Sequence, residues 1–261
     1  MTRLIPTPVT PNQISLTSIL AAAAAAASFV WLPRVPGALV GLGCLFVWHV
    51  LDGADGDLAR RTGRASASGE LIDGVCDHAS QALIYIALGL VLQRTLGMWA
   101  AALAFASALS HTIQANAYES GRKTYRHWVY DAAWMRQRPD LSRSLSGLAN
   151  RVYLGAAGAF SPGEDRVEVA MALVAARGTT TLAAARELYR AKQVALVKWS
   201  GLLGSTTRSV AVVASLLAGS PLWFFLYEIV ALNIALVVFV VWRRRANFEV
   251  ARLLSGLGAK L

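Results

Sequence analysis

Two long apolar stretches, about residues 13–33 and 36–53, follow each other with only a short turn around Arg34 between them. Four more recur at about 70–92, 97–117, 199–219 and 222–242. A bilayer core asks for roughly 20 apolar residues from each helix that crosses it. The pattern therefore predicts an all-α integral membrane protein with six transmembrane helices. Composition agrees: the chain has 261 residues, 56% of them hydrophobic, and a mean hydropathy of +0.48. That is too apolar for an ordinary soluble domain. The first stretch does not read as a cleaved signal, because its only cationic lead is Arg3, its apolar run is long and further spans follow. Its Ala21–Ala27 run forms helix readily and lets neighbouring helices come close.

The net charge of +10 could suggest nucleic acid, but its distribution follows topology. With the segment after the second stretch inside, Arg3, residues 118–198 and the tail are also cytoplasmic. Of the 25 lysines and arginines, all but Arg34, Arg94 and Arg208 then fall on that side, as the positive-inside rule expects. This predicts a multi-pass protein of the inner or cytoplasmic membrane, with no nucleic-acid partner. Short polar turns at 93–96 and 219–221 suit the opposite face. Trp31, Trp48, Trp99 and Trp242 lie near span ends, where interfacial anchors sit. Cys44 and Cys76 lie within spans and form no CxxC, so packing is expected and no disulfide framework.

Four carboxylates, Asp52, Asp55, Asp73 and Asp77, stand at one end of the second and third stretches. Charges beside a membrane are expensive and rarely idle. At about 100° per residue, Asp52, Asp55, Gly56 and Ala59 share one helical face. Gly69, Asp73 and Asp77 form a stripe on the next helix. Set face to face, the stripes bring four carboxylates together, and divalent cations between them make an all-oxygen site. Hard oxygen ligands favour Mg²⁺ or Mn²⁺. Gly56 and Gly69 allow a ligand to approach closely, and Arg60 can fork onto a phosphate. Asp57 points about 140° away from Asp52 and reads as a surface charge, and Glu70 is off the stripe. The competing structural explanation is an ion-pair network in which Arg60, Arg61 and Arg64 neutralise the aspartates.

The full spacing, D-x2-D-G-x2-A-R-x8-G-x3-D-x3-D over residues 52–77, resembles the signature of the CDP-alcohol phosphotransferase family. The resemblance implies that an alcohol attacks a CDP-activated lipid and expels CMP. It implies two Mg²⁺ or Mn²⁺ ions on Asp52, Asp55, Asp73 and Asp77, with Asp77 as general base. It places Asn12, Ser15, Gly56, Arg60, Ser66 and Gly69 against the nucleotide or CDP-lipid. Asn12 is independently a candidate N-cap for the first helix. Family members that use inositol phosphate carry a Ser and a Lys three apart after the fourth span, here Ser120 and Lys123, and arginines from the last two spans, here Arg208 and Arg245. Arg208 is costly within a span unless it faces a polar cavity or pairs with Glu228. Arg243, Arg244 and Arg245 also fit an inside anchor, and Arg122, Lys123 and Arg126 could bind anionic headgroups. His78 follows Asp77 and could support it, whereas His49, His111 and His127 lack ligand spacing.

The leading expectation is phosphatidyl transfer from CDP-diacylglycerol to a small polar alcohol, with inositol phosphate or another polyol phosphate foremost. The family also includes transfer of a CDP-linked headgroup, such as that of CDP-choline, to a lipid alcohol. Other classes open to the same residues are a divalent-cation carrier and a basic membrane scaffold. Family members commonly form homodimers, and membrane lipids are expected partners.

Three segments are expected. Residues 1–117 hold the lead, four spans and the motif, and residues 199–261 hold two spans and a basic tail. Residues 118–198 are too polar to span and long for a loop. Ser161-Pro162-Gly163-Glu164 reads as a helix start, with Ser161 as cap and Pro162 at the first position. The apolar run 169–176 and a second helix at about 181–197 follow. The insertion is expected to be helical, lying on the membrane surface or capping the site.

Overall fold

The computed structural model describes residues 9–64, 66–130 and 162–259, and among these it is helical with no strand. In chain order the helices are α1 (Pro11–Trp31), α2 (Arg34–Arg61), α3 (Ala67–Leu96) and α4 (Trp99–Tyr130). Then come α5 (Glu164–Ala175), α6 (Thr179–Ser200), a 3-10 turn (Gly201–Leu203) and α7 (Ser205–Leu217). Last are α8 (Leu222–Leu226), a π turn (Tyr227–Ala231) and α9 (Leu232–Ala259). They divide into two compact units. One comprises Met1–His111 and Ser205–Ala231, and the other Thr112–Gly204 and Leu232–Leu261.

In the first unit, α1 packs against α2 and α3. The cap of α1 is Thr10, not Asn12. Gln13 N–H donates to Thr10 Oγ1 at 3.3 Å and Thr10 N–H donates to Gln13 Oε1 at 2.9 Å. This reciprocal box, with Pro11 at the first position, satisfies helix-end donors and moves Asn12 into the first turn. The α1–α2 approach is close enough to require Gly41, where a Cβ would lie 2.0 Å from Cε1 of Phe29. The core of this unit includes Ala25, Phe29, Leu45, Leu88 and Phe225.

Helix α2 continues past the predicted limit of residue 53, so Asp52 to Arg60 ride on one unbroken helix. Its buried residues Gly41, Leu45, Trp48, Asp55 and Leu58 recur with helical period, the mark of an inward face. Trp48 is on that face and only 3% exposed, so it is a core residue and not an interfacial anchor. Trp31, Trp99 and Trp242 are exposed. Cys76 is buried and Cys44 packs against the core, and both are free.

Four helical segments among the described residues are long and apolar enough to cross a membrane: Pro11–Trp31, Arg34–Arg61, Ile72–Leu96 and Leu222–Gly256. The protein is thus an all-helical, multi-pass membrane protein. The expected spans at 97–117 and 199–219 are not among the four. The first belongs to α4, whose hydropathy is lowered by Ser107, Ser110, His111 and Gln114. The second is interrupted by the 3-10 turn and an extended Gly204, which leaves α7 with 13 residues. On the first unit, Leu16, Leu20, Phe46 and Phe105 expose more than half of their surface, while Asp55, Arg208 and Glu228 are buried. Apolar outside and polar inside suits a hydrocarbon solvent, where polar groups must find partners within the protein.

In the second unit, α4, α5, α6 and α9 share a core that includes Tyr125, Met171, Tyr189, Val250 and Leu254. Helix α5 starts at Glu164, with Gly163 as cap at φ 82°. The expected start two residues earlier is corrected: Pro162 lies in a turn, and Ser161 is outside the described residues. Glu164 and Asp165 then sit in the first turn, favourable against the positive end of a helix.

Candidate metal and nucleotide site

The motif residues all lie in the first unit, on three helices that pack together. Asp52 on α2 and Asp73 and Asp77 on α3 each offer a carboxylate oxygen, and these oxygens lie within 4.8 Å of one another. The three residues are half-buried. Two like charges at that separation repel by on the order of 3 kcal/mol at an effective dielectric of about 20. Mg²⁺ binds oxygens at roughly 2.0–2.1 Å, so two ligands of one ion stand at most about 4.2 Å apart. The donor set is all carboxylate oxygen, so it fits a hard divalent cation.

Asp55 adjoins this trio, its carboxylate in side-chain hydrogen-bond contact with Asp73. It is 3% exposed and accepts a hydrogen bond from Ser15 Oγ on α1. A small cluster of Ile14, Ala54 and Leu58 seats the start of α1 against α2 and so sets that contact. Ser15 therefore acts on a carboxylate of the motif.

The start of α3 brings three expected nucleotide residues together. Ser66 caps the helix, accepting from Gly69 N–H at 3.1 Å. A Cβ on Gly69 would lie 3.2 Å from Ser66 Oγ and 3.8 Å from Asn12 Oδ1. Only hydrogen fits comfortably there. Asn12 and Ser66 are both exposed and present polar groups beside the bare backbone.

Arg60 and Arg61 do not neutralise the trio. Arg61 Nε donates to Asp57 at 3.0 Å, and Arg60 lies 3.7 Å from the same carboxylate. Asp57 is thus the surface charge expected, and a partner for arginine. Gly56 lies beneath Arg60, whose Nη1 would be 3.2 Å from a Cβ there. His78 Nδ1 is 2.7 Å from Gly74 O on its own helix. His49 Nε2 is 3.0 Å from Ser209 Oγ.

The expected acceptor residues are placed separately. Arg208, in the first unit, pairs with Glu228: Nε donates to Oε1 at 3.0 Å and Oε2 at 3.2 Å. His111 Nδ1 lies 3.9 Å from the same carboxylate. This is the interhelix alternative for Arg208. Ser120 and Lys123 lie on α4 and Arg245 on α9, in the second unit; Lys123 and Arg245 are exposed. Arg243 is the buried arginine of its triplet, 3% exposed, and donates to Glu164. Its face was open to sequence reasoning: Phe239, Arg243, Asn247, Val250 and Leu254 share helical spacing and are all buried.

Residues 8–137 match the family model described as CDP-alcohol phosphatidyltransferase, a range that includes every motif residue. A curated protein from Rubrobacter xylanophilus, named bifunctional IPC transferase and DIPP synthase, is 38% identical over 107 residues. The match covers 41% of this chain and 23% of that protein, so this chain spans less than a quarter of its relative. No solved structure gives a significant match.

Proposed function

Because residues 8–137 belong to the CDP-alcohol phosphatidyltransferase family, we propose that this chain transfers a phosphatidyl group from CDP-diacylglycerol to a small polar alcohol and releases CMP. The observation that carries the proposal is the meeting of Asp52, Asp73 and Asp77 within 4.8 Å, on the helices that also present Asn12, Ser66 and Gly69.

Asp52, Asp73 and Asp77, with Asp55 beside them, would hold the cations. Mg²⁺ or Mn²⁺, two ions in this proposal, supply neutralisation of diphosphate oxygens and polarisation of phosphorus. Asn12, Ser66 and the bare backbone of Gly69 receive the nucleotide, and Arg60, exposed above Gly56, reaches a phosphate or the ribose. Asp77 takes the proton of the attacking hydroxyl. The hydroxyl oxygen bonds to the lipid-side phosphorus. The bond from that phosphorus to the bridging oxygen breaks, and CMP leaves with that oxygen. Ser15 holds Asp55 in place by its hydrogen bond.

Inositol phosphate or another polyol phosphate is the leading acceptor. The relative's printed name, an IPC transferase and DIPP synthase, is in keeping with members that resemble phosphatidylinositol phosphate synthases. Lys123, Ser120 and Arg245 are the acceptor residues in this proposal. The pairing of Arg208 with Glu228 favours a structural role for Arg208. The active site faces the cytoplasm on the positive-inside distribution, two further spans join the four, residues 118–198 lie along the membrane surface, and the protein works as a homodimer.

The test is CMP release from CDP-diacylglycerol in membranes holding this protein, across inositol phosphate, glycerol phosphate, free inositol and serine. CDP-choline with diacylglycerol forms a separate arm. CMP release in that arm alone would replace phosphatidyl transfer with headgroup transfer, and release in no arm would remove the enzyme reading.

A further inference from the structure

Glu164 opens α5, a helix that carries no residue of the reaction proposed above. The chain around it fixes its place in the second unit. Gly163, at φ 82°, lies against α9, where a Cβ on it would stand 3.3 Å from Asn247 Cβ. Asn247 Nδ2 donates to Pro162 O at 3.1 Å, and Asn247 Oδ1 accepts from Gln193 Nε2 of α6 at 2.7 Å. The start of α5 is thus seated on α9, with the Glu164 side chain turned into the unit and only 18% exposed.

The carboxylate has partners on two other helices. Thr124 Oγ1 of α4 and Arg243 Nη2 of α9 both donate to Glu164 Oε1. Thr124 is 2% and Arg243 3% exposed, and a buried guanidinium without its counter-charge is costly. The same guanidinium lies over Gly121 of α4, where a Cβ would stand 3.5 Å from Arg243 Nη1 and 3.2 Å from Phe239 Cζ. A pair between α5 and α9 alone would hold α5 down; the contacts to Thr124 and Gly121 bring in α4. They fall among the acceptor residues in sequence. Gly121 follows Ser120, and Thr124 follows Lys123, with Thr124 Oγ1 2.9 Å from Ser120 O. On α9, Arg245 stands two residues after Arg243.

We propose that Glu164 is a positioning residue for the acceptor: by tying Thr124 to Arg243, it fixes the turn of α4 that carries Ser120 and Lys123 relative to the turn of α9 that carries Arg245. This role rests on the acceptor residues proposed above. Glu164 touches neither substrate and acts through the two helices it joins.

The test is steady-state CMP release by the whole protein in membranes, with CDP-diacylglycerol and the acceptor varied in turn. The acceptor is whichever of inositol phosphate, glycerol phosphate, free inositol and serine the wild type uses. Glu164→Gln keeps the shape of the side chain and removes its charge. It should raise the acceptor KM about tenfold or more and leave the KM for CDP-diacylglycerol within about twofold. A merely structural role would instead lower kcat through loss of folded protein, with both KM values kept. Thr124→Val keeps the pair of Arg243 with Glu164 and releases α4 alone. It should fold as the wild type does and raise the acceptor KM about threefold, the worth of one neutral hydrogen bond. An unchanged acceptor KM in Thr124→Val or in a folded Glu164→Gln, or an equal rise in both KM values, overturns the proposal while the transfer reaction stands. If the wild type releases no CMP with any acceptor, the reaction itself falls and this role with it.

Discussion

Two charge clusters in the first unit differ in sign balance. Asp52, Asp73 and Asp77 gather like charges within 4.8 Å, and the nearby Arg60 and Arg61 turn to Asp57 instead. Arg208 and Glu228, 3% and 0% exposed, match opposite charges at 3.0 Å. A matched pair needs no counter-charge from outside, which favours a role within the fold for Arg208. A group of anions without a matching cation must be relieved by protonation or by a counter-charge, and the divalent cations proposed above supply the second. Both are rare in a membrane segment, and rarity alone would have assigned function to each.

The comparison breaks most sharply on metal. Chelation with EDTA should abolish CMP release, and added Mg²⁺ or Mn²⁺ should restore it. The melting transition set by the Arg208–Glu228 region should persist throughout. Full activity in metal-stripped membranes would show that the anions need no outside charge.

Next in size is Asp77→Asn. Loss of a positioned base costs roughly 10²- to 10⁴-fold in turnover. Removing one of three like charges should at the same time leave the apo protein as stable as before, or more so. Steady-state CMP release and thermal melting read the two effects, and a near wild-type rate would take Asp77 out of the chemistry.

The matched pair should behave in the opposite way. Arg208→Ala leaves Glu228 buried without its cation, and breaking such a pair costs about 3–5 kcal/mol. Replacing both partners, Arg208→Met with Glu228→Leu, should recover most of that stability. Chemical denaturation in detergent measures it. If Arg208→Ala melts like wild type and alters only the acceptor KM, Arg208 belongs with the acceptor site after all.

The smallest effect expected is at the edge of the anion group. Gly69→Ala places a methyl 3.2 Å from Ser66 Oγ. It should raise the KM for the CDP-lipid several-fold with little change in stability, because the helix itself tolerates alanine better than glycine. Kinetics with the CDP-lipid varied at fixed acceptor would show it, and an unchanged KM would move the nucleotide away from Gly69.

Much of the site was legible before any coordinates, because helical periodicity is local. Asp73 and Asp77 lie four apart and must share a face, and Asp52 and Asp55 lie three apart and nearly do. The same rule was available for Trp48, seven residues before Asp55 and buried with it, although its place near a span end suggested an anchor. Local chemistry also contained the true cap, Thr10 with Gln13 three residues on, but Asn12 competed for it with an equally good cap side chain.

Pairing between faces is a different matter, since it depends on which helices meet. Spacing puts Asp52 and Asp55 side by side, and packing then buries Asp55 under Ser15 of α1 and beside Asp73 of α3, contacts that spacing alone does not show. Hydropathy counts residues 199–219 as apolar, yet the chain there breaks at Gly201–Gly204, because short-range backbone geometry overrides average composition. Three consecutive arginines look alike in sequence, yet only Arg243 is buried, against Glu164 some eighty residues away in the chain. Periodicity and composition thus settled the helical class, the membrane setting and the chemical nature of the carboxylate group. Helix packing settled which charges are matched within the protein and which gather without a matching cation, because that depends on contacts between residues far apart in the chain.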